Sequence, residues 1–263
     1  MTTTERKHWI IYFACILTAI IVMTIASRAG DIATVWDESV GTVPSARKAK
    51  VEAARSLADW LLLDNGMSGN QGVVTFRLKP AKLGASGSLA QTTTAHYVFN
   101  SRGKLVLDGQ YPVLIELNLD GGLNTWWSDL YLQCIVLHEI LHGCGIDSAP
   151  YYIHRYVGGT LLQPDDRYTG PALATYRAEY LLPDAPWIPM DYNHLSEAVG
   201  ASELMTPGLS VSGINNVYLS ATTMQIIADN GWNVNPNFNG GIVRDIMPTR
   251  RLRDEDSLEI TTP

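Results

Sequence analysis

Residues 128–145, SDLYLQCIVLHEILHGCG, constrain this chain more than any other stretch. Their length suits a helix that starts at Thr125 or Ser128 and stops at Gly143 or Gly145. Ile135, Val136, Leu137, Ile140 and Leu141 make such a helix apolar on most sides. A helix of that kind belongs inside a domain, so the domain must build a core around it. Two histidines, His138 and His142, sit in the middle of it. Four residues apart on a helix they share one face, so both imidazoles reach a single metal ion. Histidines on so apolar a helix need partners, and a metal supplies one.

Glu139 completes the pattern His-Glu-x-x-His. One helical turn then carries two ligands and a carboxylate placed to act on water as general base, the arrangement that zinc peptidases use. Catalytic zinc takes three protein ligands and keeps one position open. The extended pattern would put a third histidine at 148. Gly145 stands in its place in that pattern, but position 148 is Ser148, and Asp147 is one residue out of register. The remaining histidines are His8, His96, His154 and His194, and spacing does not select among the last three.

The rest of the chain predicts an α+β fold, a small mixed sheet over the helix of the motif. A helix capped by Ser45 has apolar positions Val51, Ala54, Leu57 and Leu61 at spacings of three and four, with Gly66 as its stop. Strand-like segments follow at 73–79, 95–100, 104–109 and 113–119. Residues 147–192 read as loops with one helix near PALATYRAEYLL, and a last helix runs from a Ser220 cap to Gly231. LGASGSLAQT at 83–92 is either the edge strand of a substrate cleft or an ordinary Gly/Ser loop.

Trp9 to Ala26 is an apolar run of 18 residues, preceded by Arg6 and Lys7. At ~1.5 Å per residue it spans about 27 Å, close to the thickness of a bilayer core. Its length favours an uncleaved anchor, while Ser27-Arg28-Ala29 before Gly30 offers a signal-peptide cleavage site. Under either reading the positive residues place the C-terminal domain outside the cytosol, secreted or membrane-anchored. The expected division is 1–29 as signal or anchor, 30–247 as the domain, and 248–263 as a polar, disordered tail. A net charge of −7 excludes the basic patch that nucleic-acid binding requires. Cys15, Cys134 and Cys144 are too few for a disulfide-stapled fold.

Four blocks, VLHEILHGCGIDS, RYTGPALATYRAEYL, NHLSEAVGASELMTPGLS and YLSATTMQIIADNGWNVNP, together resemble the leishmanolysin-like family of metzincin metalloproteases. They occur in the family's order, and the similarity covers roughly residues 84–235. The resemblance implies a metzincin-like zinc endopeptidase acting on protein or peptide substrates. Its ligands would be His138, His142 and His194, its general base Glu139, and its Met-turn residue Met205, with one catalytic Zn2+. Gly145 would end the active-site helix, and a long insertion would separate His142 from His194. Leu195 stands where the family commonly has tryptophan. No cysteine lies between residues 30 and 120, so the thiol that keeps some family zymogens latent is absent.

Single residues add further expectations. Cys134 and Cys144, about 15 Å apart along a straight helix, are expected as free, buried thiols. Glu197 and Glu203 flank the third-ligand segment: one is a candidate brace for a ligand histidine, although surface or capping carboxylates are commoner. Tyr192 and Tyr218 are candidate oxyanion donors, structural tyrosines being the commoner case. Asp120, Asp165 and Asp166 lack the spacing of a calcium loop. The competing enzyme reading takes Glu179 or Glu197 as third ligand, as in thermolysin-like peptidases. A different class of reading is a catalytically silent extracellular binding module. The polar C-terminal tail argues against a lipid anchor at that end.

Overall fold

The computed structural model describes residues 32–67, 72–83, 89–93, 96–118, 127–146, 167–191, 194–200, 202–209 and 213–248. In chain order, β1 (Ile32–Trp36) leads into α1 (Ser45–Leu61), followed by β2 (Leu62–Asp64), β3 (Val74–Ala81) and β4 (Ala90–Thr93). Next come β5 (Tyr97–Phe99), β6 (Leu105–Leu107), β7 (Val113–Asn118) and α2 (Asp129–Cys144). The chain continues through β8 (Arg167–Tyr168), α3 (Ala172–Glu179), β9 (Ile188–Asp191) and β10 (His194–Leu195). It closes with β11 (Tyr218–Leu219), α4 (Ala221–Asp229), β12 (Asn233–Val234), β13 (Gly241–Ile242) and the short α5 (Val243–Ile246). The architecture is α+β with small mixed sheets.

Period-two alternation builds the main sheet. Val74, Phe76 and Leu78 on β3 and Val113, Ile115 and Leu117 on β7 are all buried on one side. The strand order is β1-β3-β7-β4, with β1 and β7 parallel to β3 and β4 antiparallel to β7. In this register Thr92 on the outermost strand faces Ile115. Among the described residues the segments at 95–100 and 104–109 do not join that sheet: β5 and β6 pair with each other as a separate antiparallel ribbon. Strand β1 lies upstream of the elements legible in the sequence. Arg55 and Asp59 of α1 fix its start, Arg55 Nη1 donating to the Ile32 carbonyl at 2.8 Å and Asp59 accepting from Ile32 N at 3.1 Å.

Every residue of α2 from Tyr131 to Cys144 is buried, as its apolar surround requires. Helix α1 packs on one side of it and the sheet on another. Gly143 leaves no room for a side chain between helix and sheet: a Cβ there would stand 2.8 Å from Cε1 of Phe76. Ser128 caps α2 by accepting from Tyr131 N at 3.1 Å, and Ser220 caps α4 by accepting from Thr223 N at 3.0 Å.

The first helix departs from the sequence reading at both ends. Ser45 is its first helical residue and Pro44 its N-cap, with no side-chain cap bond. It stops at Leu61, well before Gly66, because Leu62–Asp64 pair with Asn233–Val234 as a strand. Cys134 and Cys144 are free and buried, as expected. The N-terminal apolar run and the tail from 249 lie outside the described residues. Among the described residues no helix is long and apolar enough to cross a membrane.

Candidate metal centre

The helix of the motif ends in a turn that acts on its own histidine. Gly145 adopts a φ of +152°, a value L side chains rarely take, and its N–H bonds back to the His142 carbonyl. The chain then reverses so that the carbonyl of Ile146 accepts from His142 Nδ1 at 2.6 Å. His138 Nδ1 donates in the same way to the Leu204 carbonyl, also at 2.6 Å. With both Nδ1 protons given to carbonyls, each Nε2 is left with its lone pair facing inward.

Those lone pairs converge. His142 Nε2 stands 2.9 Å from His138 Nε2 and 3.1 Å from His194 Nε2. His138 and His142 are buried and His194 is half-buried on β10. Burial holds His138 down at about 4 and His194 at about 3. His142 is held well below its ordinary value, by burial first and then by the two neighbouring rings. All three are therefore neutral at pH 7, and the inward lone pairs of His138 and His142, 2.9 Å apart, repel unless a cation lies between. A tetrahedral ion at about 2.0–2.1 Å from each nitrogen separates the nitrogens by about 3.3–3.4 Å. The two distances to His142 lie within about 0.5 Å of that spacing, and all three nitrogens lie within 4.8 Å of one another. Among the described residues, these three form the one group of His, Cys, Asp and Glu side chains placed to hold a metal ion.

A tight turn at Glu203–Thr206 supports two of the ligands. Thr206 N and Thr206 Oγ1 both donate to the Glu203 carbonyl, at 3.2 and 2.8 Å. From that turn the Leu204 carbonyl orients His138, while the Met205 carbonyl accepts from Leu195 N, next to His194, at 2.9 Å. Met205 is fully buried. Glu203 is buried too, and its carboxylate accepts from Met205 N, from Ser220 N and Oγ at 3.3 and 3.0 Å, and from Thr223 Oγ1 at 2.6 Å. Burial raises its pKa, against the pull of these donors.

Glu139 is buried beside the ligands, and Thr92 Oγ1 lies 2.7 Å from its Oε2. Strand β4, the outermost of the sheet, is thereby tied to the carboxylate. The expected edge segment at 83–92 becomes a strand only at Ala90–Thr93, and residues 84–88 lie outside the described residues.

The sequence blocks quoted above meet around this centre. Asn230 Nδ2 donates to the Gly145 carbonyl at 2.7 Å. Asp229 accepts from Tyr168 Oη at 2.6 Å and from Ala172 N at 2.7 Å, tying α4 to the start of α3. Gly170 is needed there, since a Cβ would collide with the Tyr168 ring.

Of the other candidates, Glu179 is committed elsewhere. Its carboxylate accepts from Ala221 N, Thr222 N, Thr222 Oγ1 and Tyr218 Oη at the start of α4. Glu197 is exposed. Neither belongs to the metal-holding group, which His194 completes. Glu203 is no surface carboxylate: it caps α4 and holds the turn, while the Nδ1 protons of His138 and His142 go to carbonyls. Tyr218 is a structural tyrosine; burial and then Glu179 push it up to about 12. His96 is exposed and stacks on Tyr111. Tyr192, Asp147, Ser148, His154, Asp120, Asp165 and Asp166 lie outside the described residues. Thr92 carries no signal in the sequence, because only sheet register brings it to Glu139.

The chain matches no protein-family profile, and no curated protein is detectably similar to it.

Proposed function

We propose that this protein is a zinc-dependent endopeptidase of the metzincin type, with His138, His142 and His194 as ligands and Glu139 as general base. The single observation that carries the reading is the convergence of the Nε2 atoms of three histidines, with the buried Glu139 next to His138 on the same helix. Imidazole nitrogens in a tetrahedral set, with no cysteine among them, suit zinc. A zinc ion bound there supplies a Lewis acid that lowers the pKa of water and polarises a scissile carbonyl. Glu139 takes the proton of the attacking water and delivers it to the leaving amine. Thr92 holds the Glu139 carboxylate in place for both transfers. Strand β4 is the outermost of its sheet, and an extended peptide would lie across the centre as a strand added beside it. The resemblance to the leishmanolysin-like family supports the same assignment, with Met205 beneath the ligands. In this reading the N-terminal apolar run delivers the domain across a membrane, as an anchor or as a cleaved signal.

The test is cleavage of an unfolded protein substrate by the purified full-length chain with zinc, beside Glu139→Gln. Turnover by the wild type alone is the expected result. Equal turnover by both proteins overturns the role of Glu139. A folded, zinc-loaded wild type without turnover favours the silent binding module.

A further inference from the structure

His138 and the strand of His194 both bond to one turn, and a buried carboxylate grips that turn beside its main-chain bonds to Tyr218 and Gly200. We propose that Glu203 is the positioning residue of the metal centre, setting two of its three ligands through the main chain of residues 204 and 205. The inference rests on the reading of the three histidines as metal ligands.

The path is short. Glu203 accepts the N–H of Met205. This fixes the peptide between Leu204 and Met205, whose carbonyl is the acceptor of His138 Nδ1 at 2.6 Å. The next carbonyl, of Met205, accepts Leu195 N at 2.9 Å and so holds the strand that carries His194. The carboxylate's other oxygen is anchored by Thr223 Oγ1 and by Ser220, at the N-terminus of α4. One end of Glu203 therefore grips a rigid helix and the other the turn under the ligands.

Capping α4 does not by itself explain the residue. The first three N–H groups of that helix already have partners: Glu179 takes Ala221 N and Thr222 N, and Ser220 Oγ takes Thr223 N. Only Ser220 N falls to Glu203. A carboxylate at 2 % exposure carries a desolvation penalty that an apolar side chain would avoid. An apolar side chain would leave two N–H groups without this acceptor, that of Ser220 beside the helix and that of Met205 in the turn.

The experiment measures zinc affinity of the full-length chain by competition with a chromophoric chelator, together with the visible spectrum of the Co2+-loaded protein. Glu203→Leu is expected to weaken zinc binding by about 10- to 100-fold and to alter the Co2+ bands. Glu179→Gln, which loosens α4 without touching the turn, is expected to lower thermal stability and leave both metal readouts unchanged. Wild-type affinity and an unaltered spectrum in folded Glu203→Leu overturn the proposal. So does an equal metal defect in Glu179→Gln, which would assign the effect to α4. If Glu203→Leu does not fold, Glu203→Gln serves, because one amide cannot accept from both Met205 N and Ser220 N. A severalfold loss then supports the proposal, and unchanged affinity overturns it. A folded wild type that binds no zinc removes the metal reading itself, and this inference with it.

Discussion

Thr92 Oγ1 donates to Glu139 at two points, the carboxylate Oε2 at 2.7 Å and the main-chain carbonyl at 2.9 Å. One hydroxyl proton is shared between a side chain and the helix backbone that carries it. The carboxylate is thereby held in register with its own helix and with the outermost strand of the sheet.

Thr92→Val keeps the shape and strand preference of the residue and removes the proton. A hydrogen bond to a charged group contributes ~1.5–3 kcal/mol, and ~1.4 kcal/mol is tenfold in rate. The expected outcome is a kcat about tenfold lower with unchanged KM and zinc content, and recovery in Thr92→Ser. A wild-type kcat in Thr92→Val would show that Glu139 needs no such support.

His194→Ala is expected to lose stoichiometric zinc and all turnover, as judged by metal analysis after gel filtration. Glu179→Gln is expected to keep both while unfolding earlier, because Glu179 serves the start of α4. The opposite pattern would restore the thermolysin-like ligand set.

How much of this is readable from the chain differs by element. Ser128, Ser220 and Gly145 are legible because caps and helix-ending glycines act within four residues of sequence. The buried faces of β3 and β7 are legible from their alternation. Of the three converging histidines, His138 and His142 announce themselves by spacing, whereas His194 comes only from the resemblance. Thr92 is hidden, and Glu203 is legible only as one of two candidate braces, for a different reason. Thr92 meets Glu139 across 47 positions and Glu203 meets Thr223 across 20, contacts that exist only once the sheet register and the turn are formed. Strand β1 escapes a sequence reading because Arg55 and Asp59, residues of the next helix, hold its start. The early stop of α1 escapes it because a strand from the far end of the chain captures Leu62–Asp64.

The metal-free protein is expected to lose stability in mild acid. His138 and His194 are held at about 4 and about 3, against an ordinary value of 6.5. Between pH 6.5 and those values the unfolded chain binds protons that the folded chain excludes. Their stabilisation is therefore complete above pH 6.5 and declines as pH falls, by up to about 1.4 kcal/mol per pH unit for each histidine. Urea midpoints measured between pH 7.5 and 4.5 in the presence of chelator check this, with His194→Ala giving the shallower slope. A pH-independent midpoint across that range contradicts it.

Gly143→Ala is expected to destabilise the domain by about 1–3 kcal/mol, since the new methyl group meets the Phe76 ring at 2.8 Å. Phe76→Leu in the same chain should return part of the loss, and a thermal-denaturation cycle of the two substitutions measures the coupling. Additive effects would mean that helix and sheet separate freely at this point.

Two of the three ligand rings take their orientation from peptide carbonyls, those of Ile146 and Leu204. A carbonyl is present whatever side chain the residue bears. As far as the imidazoles are concerned, positions 146 and 204 need only a backbone that keeps its path; both side chains are fully buried, so their identity answers to the core. The orientation of the rings is therefore written in backbone trajectory, which the positive φ of Gly145 shapes at one of the two bends.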